Sequence, residues 1–122
     1  NMCKIKNKFV MTSTGFSMAC DMNTAIYAAA ANSPTGPFSI PKKIYNVEDK
    51  KQGHSPMFYQ AVAHPQYINT NNEILVTYCI NGYDNSSPKA GCIPHCIKGR
   101  QDPDDYRPRA IRVPLKLIDK DL

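Results

Sequence analysis

A run of small apolar residues ending in a sharp turn, residues 24–38 (TAIYAAAANSPTGPF), constrains the fold more than any other stretch. Residues 27–31 are almost all alanine, which predicts a buried strand with other sheets packed closely on both faces. The Ser-Pro-Thr-Gly sequence at 33–36 fits a type I turn, with serine first, proline second and glycine fourth. Residues 40–47 then predict a return strand at a sheet edge, because Pro41 has no N–H to donate to a ladder.

A helix is the alternative interpretation of this region. Residues 18–31 are rich in alanine and methionine, and a helix over them would end at Ser33-Pro34. Periodicity does not distinguish the two structures for a short apolar run. The ten prolines and six glycines lie mostly between apolar runs, which favours many short strands and an all-β fold.

Further apolar runs predict the remaining strands, which we place at residues 4–12, 58–68, 73–80 and 106–118. The run EILVTYCI at 73–80 is continuous, as is typical of a strand covered on both faces. The Asn-Thr-Asn-Asn sequence at 69–72 predicts a turn, since asparagine tolerates left-handed backbone. A charged loop at 48–55 separates the strands into two antiparallel meanders, and residues 81–103 form a long loop.

Length and charge exclude several classes of protein. The 122 residues suffice for one domain, and no apolar run approaches the roughly 20 residues of a membrane-spanning helix. The net charge is +5, but the arginines near the end of the chain lie beside aspartates. The sequence has no basic stripe with interleaved aromatic residues, so we do not expect nucleic-acid binding.

Cysteine usage indicates an oxidising compartment, and hence a secreted protein or one in the secretory lumen. The five cysteines are Cys3, Cys20, Cys79, Cys92 and Cys96. Their odd number leaves one thiol for a bond outside the chain or for none. Asn85 begins a glycosylation acceptor pattern, although Pro88 follows that pattern directly. The chain begins at Asn1 without an initiator methionine, which predicts a processed product.

Two cysteines and a histidine lie within five residues, at Cys92, His95 and Cys96, with Cys79 upstream. Such a set resembles the ligands of a Cys₃His zinc site. The spacing is C-x-x-x-C with a proline inside, however, whereas zinc knuckles use C-x-x-C. We therefore favour disulfides over a metal, with Cys79 bonded to Cys92 or Cys96, and such a loop closure contributes roughly 3 kcal/mol.

Two groups of motifs resemble a known family. The SPTGPF turn followed by a lysine-rich strand ending in tyrosine resembles the repeat of five-bladed β-propellers of the family-43 glycoside hydrolase type. The second half, AVAHPQYI, NNEILVTYCING and DDYRPRAIRVPL, resembles the closing blade of uncharacterised propellers related to those glycosidases. The likeness spans residues 26–115. It implies an all-β fold of antiparallel four-stranded-sheet blades, with residues 1–50 as the penultimate blade and 51–122 as the last.

The resemblance also implies partners. A five-bladed propeller needs several hundred residues, and two blades alone would expose large apolar flanks. We therefore expect an N-terminal chain of the same precursor to complete the propeller, with the leftover cysteine as a disulfide link. The implied function is carbohydrate binding or processing, and a calcium or other ion in the channel is the implied cofactor. The alternatives are a non-catalytic structural protein of a wall, coat or secretory store, and a free-standing disulfide-rich module.

Four residues are candidates for ligand binding. In the resembled propellers a histidine near the channel lies close to an ion or sugar, which points to His64, although a hydrogen-bonded histidine before Pro65 is the simpler reading. Arg107 and Arg109 suit bidentate hydrogen bonds to a sugar or carboxylate, or pairing with local aspartates. Tyr78 suits stacking on a sugar ring or core packing. The catalytic carboxylates of the resembled glycosidases come from the first three blades, so no acid–base pair is assigned here.

Overall fold

The computed structural model describes residues 1–15, 24–51, 53, 55–83, 104 and 106–122. Two antiparallel sheets, each a meander in chain order, make up nearly all of this part. The four strands of the first sheet are β1 (Met2–Ile5), β2 (Lys8–Thr14), β3 (Ala25–Ala31) and β4 (Lys42–Asn46). The three strands of the second are β5 (Pro56–His64), β6 (Glu73–Tyr83) and β7 (Pro108–Pro114).

Helix is almost absent from the described residues. A 3₁₀ turn follows β5 at Pro65–Tyr67, and a single α-helical turn, α1 (Leu115–Ile118), follows β7. Among the described helices none has the length and apolar character to cross a bilayer. The predicted all-β fold of two antiparallel meanders is therefore confirmed.

The alanine-rich stretch is a strand, as predicted. β3 pairs with β2 on one side and with the edge strand β4 on the other. The turn after it has the expected hydrogen bond, donated by the Gly36 N–H to the Ser33 carbonyl at 3.0 Å. The helical alternative is therefore wrong for residues 24–31, and residues 16–23 lie outside the described part.

The predicted single strand at 4–12 is wrong, because the chain reverses at Lys6 and Asn7 to form the β1–β2 hairpin. Lys6 has a positive φ of 52°, the left-handed geometry that such a tight reversal requires. Ile5 and Val10 both face the core although they are five residues apart, so the alternation of inward and outward side chains changes phase at the turn. This change of phase is what distinguishes the hairpin from one continuous strand.

β6 is the central strand of the second sheet and alternates strictly in burial. The side chains of Ile74, Val76 and Tyr78 are buried, whereas those of Leu75 and Thr77 between them are only half-buried. The first sheet covers the buried face through one shared apolar core. The expected strand is confirmed, but the described residues enclose one of its faces and not both.

The two sheets come closest where β2 faces β5. A bulge in β5 between Tyr59 and Val62 takes Ala61 out of the ladder with β6. The Ala61 carbonyl accepts a buried hydrogen bond of 2.8 Å from the Thr12 hydroxyl on β2. This bond satisfies a buried polar group on each sheet and so determines how the sheets meet.

Residues 115–122 pack on the core away from the contact between β2 and β5. Leu115, Ile118 and Leu122 are buried, and α1 contacts β3, β4 and β7. The carboxylate of Asp119 lies 3.9 Å from the Lys8 ammonium group of the first sheet. The Asn72 amide, in the turn just before β6, donates to the Leu122 carbonyl at 3.1 Å. The C-terminal segment therefore contacts both sheets.

Removing the Thr12 hydroxyl tests the contact between the sheets. We expect Thr12→Val, which keeps the side-chain shape, to lower the free energy of unfolding by about 1–3 kcal/mol, because the Ala61 carbonyl stays buried without a donor. Ser13→Ala, at the exposed neighbouring position, is the control and should change stability by no more than about 0.5 kcal/mol. Urea unfolding gives both values, and equal effects of the two changes would contradict the assignment.

A pair of glycines separates backbone strain from crowding at the turn. Gly36 and Gly53 both have a φ of 84°, but a Cβ on Gly36 would lie 3.0 Å from the Phe38 backbone nitrogen, whereas none of the described atoms lies within 4 Å of one on Gly53. We expect Gly53→Ala to cost roughly 1 kcal/mol through φ alone, and Gly36→Ala to cost clearly more. Thermal unfolding of both variants measures this, and an equal loss would mean that the contact with Phe38 is unimportant.

Candidate functional site

The structure brings two of the four predicted binding residues together. Tyr78 on β6 and Arg109 on β7 are direct cross-strand partners, so their side chains share one face of the second sheet. That face is the one turned toward the first sheet, where Tyr45 and Asp49 lie.

Five side chains meet at this place, and we call them the Tyr–Arg cluster: Tyr45, Asp49, Tyr78, Tyr83 and Arg109. The Arg109 Nε donates to the Asp49 carboxylate at 3.3 Å, and a second side-chain hydrogen bond joins Arg109 to Tyr83. The ring centroids of Tyr45 and Tyr78 are 6.5 Å apart. The cluster therefore sets an ion pair among three phenol rings.

The cluster lies at the boundary between interior and solvent. Tyr78 is 4 % exposed, whereas the side chains of Arg109 and Asp49 keep 34 % and 37 % of their surface exposed. The ring of Phe58 packs edge-on against Tyr78, with centroids 5.7 Å apart, and holds it from the core side. The ion pair is thus open to a ligand while the ring beneath it is fixed.

Burial perturbs the ionisation of this cluster. Desolvation, with added repulsion from the neighbouring Tyr45 and Asp49, raises the pKa of Tyr78 from 10.0 to about 12. For Arg109, desolvation acts to lower the pKa, but the hydrogen bonds to Asp49 and Tyr83 outweigh it and raise the pKa above its ordinary value. At neutral pH the cluster therefore offers the neutral phenol of Tyr78 beside a firmly held cation.

A cleft of about 550 Å³ lies beside the loop that carries Asp49, and its lining includes the residues before and after Asp49 but no member of the cluster itself. Thr24, Asn46, Glu48, Lys50 and Ser55 are among the residues that line it. The loop that contributes Glu48 and Lys50 to the cleft also carries Asp49 to Arg109. The lining therefore combines hydroxyl, amide and charged groups, which suits a polar ligand with several hydrogen-bonding groups.

The other two predicted residues lie elsewhere. His64 accepts or donates a hydrogen bond of 2.8 Å between its Nε2 and the Thr77 hydroxyl, and its ring centroid is 6.2 Å from that of Tyr67. Thr77 belongs to the half-buried face of β6, opposite to the Tyr–Arg cluster. Arg107 is exposed and pairs with Asp104. Both residues therefore make the local structural contacts that the sequence left as alternatives.

Three members of the cluster, Tyr45, Asp49 and Tyr83, are not among the binding residues that the sequence predicts. Tyr45 ends the lysine-rich motif and Tyr83 ends β6, so each adjoins a motif that the sequence identifies for a different reason. Asp49 is one of several charged residues in the loop at 48–55, and nothing local distinguishes it. Only the contact with Arg109, 60 residues away along the chain, singles it out.

Two of the five cysteines, Cys3 and Cys79, lie in the described part of the chain. Cys3 and Cys79 are both free thiols, so the expected bond from Cys79 to Cys92 or Cys96 is not formed in the structure. The remaining cysteines, the zinc candidate His95 and the glycosylation candidate Asn85 lie outside the described residues. Within the described part, the titratable side chains form no group of three that would hold a metal ion.

Alkaline pH tests the burial of Tyr78. Because its pKa is higher in the folded protein than the ordinary value of 10.0, its contribution to stability is complete below about pH 10 and is lost as the pH rises toward 12. We expect the free energy of unfolding to fall over this interval, and to fall less steeply in Tyr78→Phe. Urea unfolding at several alkaline pH values measures the two slopes.

Tyr59 contributes to the same measurement. Its hydrogen bond with the Tyr106 hydroxyl raises its pKa to about 12 as well. By the same linkage, Tyr59→Phe should also reduce the alkaline loss of stability, and the double variant Tyr59→Phe, Tyr78→Phe should lose less than either single variant. Identical slopes for the wild-type chain and Tyr78→Phe would show that Tyr78 ionises normally.

Comparison with known proteins gives one match. None of the curated proteins and none of the solved structures compared with the chain matches it. The model of the family described as "Domain of unknown function (DUF5005)" covers residues 1–115. That span is nearly the whole chain, and the chain therefore belongs to this family.

Proposed function

We propose that this chain is the C-terminal part of a β-propeller and binds carbohydrate at the Tyr–Arg cluster and the cleft beside it. One observation carries the proposal: a half-exposed Arg109–Asp49 pair is set among three tyrosines, and the residues on both sides of Asp49 line an open polar cleft. Arginine and aspartate provide directional hydrogen bonds for sugar hydroxyls, and phenol rings provide both apolar surface and a polar group.

The propeller assignment is supported by how the sheets are arranged. Two meanders follow one another along the chain and pack face to face, with β2 against β5 and the helical turn α1 against β3, β4 and β7. The register places Met2 and Met11 opposite each other on the outer face of the first sheet, where they are 48 % and 40 % exposed. Further blades on an N-terminal chain would cover this apolar face.

Binding is better supported than hydrolysis by these residues. Glycoside hydrolysis uses two carboxyl groups, one as acid and one as base or nucleophile. Asp49, Asp104 and Asp119 are each engaged by a cation, and Glu73 accepts a hydrogen bond of 2.8 Å from Asn69. Any catalysis, and any channel ion, would depend on the N-terminal blades, and a secretory location is part of the same proposal.

The engaged carboxylates also favour a second candidate. A structural protein of a wall, coat or secretory store would keep the fold and need no acid–base pair. Such a protein has no reason to hold Arg109 and Asp49 open beside a cleft, so a direct binding measurement separates the two functions.

Two matched arginines test the carbohydrate proposal. Arg109 and Arg107 flank Pro108 and each pairs with an aspartate, but only Arg109 belongs to the cluster. We expect neutral polysaccharides in a native gel to retard the chain, and Arg109→Gln to weaken this retention by about tenfold, since a charged hydrogen bond contributes roughly 1.5–3 kcal/mol. Arg107→Gln should migrate as the wild type does.

The same gels show which results would contradict carbohydrate binding at the cluster. Circular dichroism of both variants first establishes that they are folded. Migration of the wild-type chain that no polysaccharide alters would refute carbohydrate binding and leave the structural role. Equal loss of retention in both arginine variants would place the binding site outside the cluster.

A further inference from the structure

A second cleft, of about 470 Å³, lies where β2 meets β5, and we call this line of contact between the two sheets the seam. Asn1, Ser13, Thr14 and Gln60 contribute polar groups to its wall, and Val62 contributes an apolar surface. None of these residues belongs to the Tyr–Arg cluster. We call it the Gln60 cleft.

Gln60 is held in strained backbone at the edge of this cleft. Its φ is 55°, a left-handed geometry that glutamine rarely adopts, and it lies in the bulge of β5. Its side chain is exposed and makes no hydrogen bond to the described part of the chain. Glycine would take this geometry without strain, so the fold itself gives no reason for glutamine here.

The lining of the cleft defines the class of ligand. Its side chains are hydroxyls, amides and small apolar groups, and the Asn1 α-ammonium beside them is already engaged by the Thr12 carbonyl at 2.8 Å. The hydroxyl and amide groups that remain suit a neutral ligand with hydroxyl groups, which finds both donors and acceptors there. The volume lies within the range of ordinary small-molecule sites.

We propose that the Gln60 cleft is a second binding site, for a neutral polyhydroxylated ligand such as an oligosaccharide segment, and that the Gln60 side-chain amide is its main contact. The bulge serves this site in two ways. It turns Gln60 outward at the rim, and it releases the Ala61 carbonyl to Thr12, which holds the floor of the cleft.

Residue-resolved NMR tests this with neutral disaccharides: cellobiose, maltose and xylobiose. We expect at least one of them to shift the backbone amides of Ser13, Thr14, Gln60 and Val62. Shifts at Tyr78 and Arg109 report the Tyr–Arg cluster in the same spectra, so the two sites are judged separately.

Gln60→Gly is the decisive variant, because it should move stability and binding in opposite directions. Relief of the strained φ should raise the melting temperature by roughly 2–6 °C, while loss of the amide should weaken disaccharide binding at the cleft about tenfold. Ser13→Ala gives a second, milder loss without altering the backbone. Arg107→Gln should change neither quantity.

The possible results distinguish the second site from the proposed function. Shifts in the cleft that weaken in Gln60→Gly support the second site, whether or not the cluster responds. Shifts confined to Tyr78 and Arg109 overturn the second site and leave the proposed function in place. Shifts that persist unchanged in Gln60→Gly, or no shift at the cleft with any neutral disaccharide, also overturn it.

Discussion

The close approach of β2 to β5 is the constraint on which the rest of the structure depends. Alanines such as Ala28 and Ala63 line the core on either side of this seam and leave room for the two backbones to come near each other. The bulge in β5 would leave the Ala61 carbonyl buried without a partner if the Thr12 hydroxyl did not reach it. A hydrogen bond between the sheets thus satisfies the carbonyl that the bulge releases, and apolar side chains from both sheets pack into one core around it.

That packing leads directly to the Tyr–Arg cluster. β2 packs against β5 on one side of the core, and the helical turn α1 packs against β3, β4 and β7 on another. The loop that leads from β4 to β5 brings Asp49 to Arg109 on β7. The cluster is therefore a consequence of how the two sheets pack, and its chemistry comes from residues on three separate segments.

Local sequence was sufficient for the elements whose geometry is local. The serine and glycine that bond across the turn at 33–36 are three residues apart, and the apolar run of β6 carries its own pattern. The reversal at Lys6 and the bulge at Gln60 depend on pairing with other strands, and neither residue is the glycine or proline that usually marks such a place. For the site, adjacent strands could be predicted to bring Tyr78 near Arg109, but the partner of Arg109 lies 60 residues away and has no local signal.

Stability alone does not account for the residues at the cluster. A half-exposed ion pair such as Arg109–Asp49 contributes about 0–1 kcal/mol, and an apolar side chain facing the core at position 109 would pack at least as well. Burying the Tyr78 ring stabilises the fold, yet phenylalanine would do the same without placing a hydroxyl near a charged pair. Each polar group here adds little to folding, and the ion pair is partly exposed beside a loop that also lines a cleft. Such an arrangement is expected when the surface is kept for recognition and the fold supports it from behind.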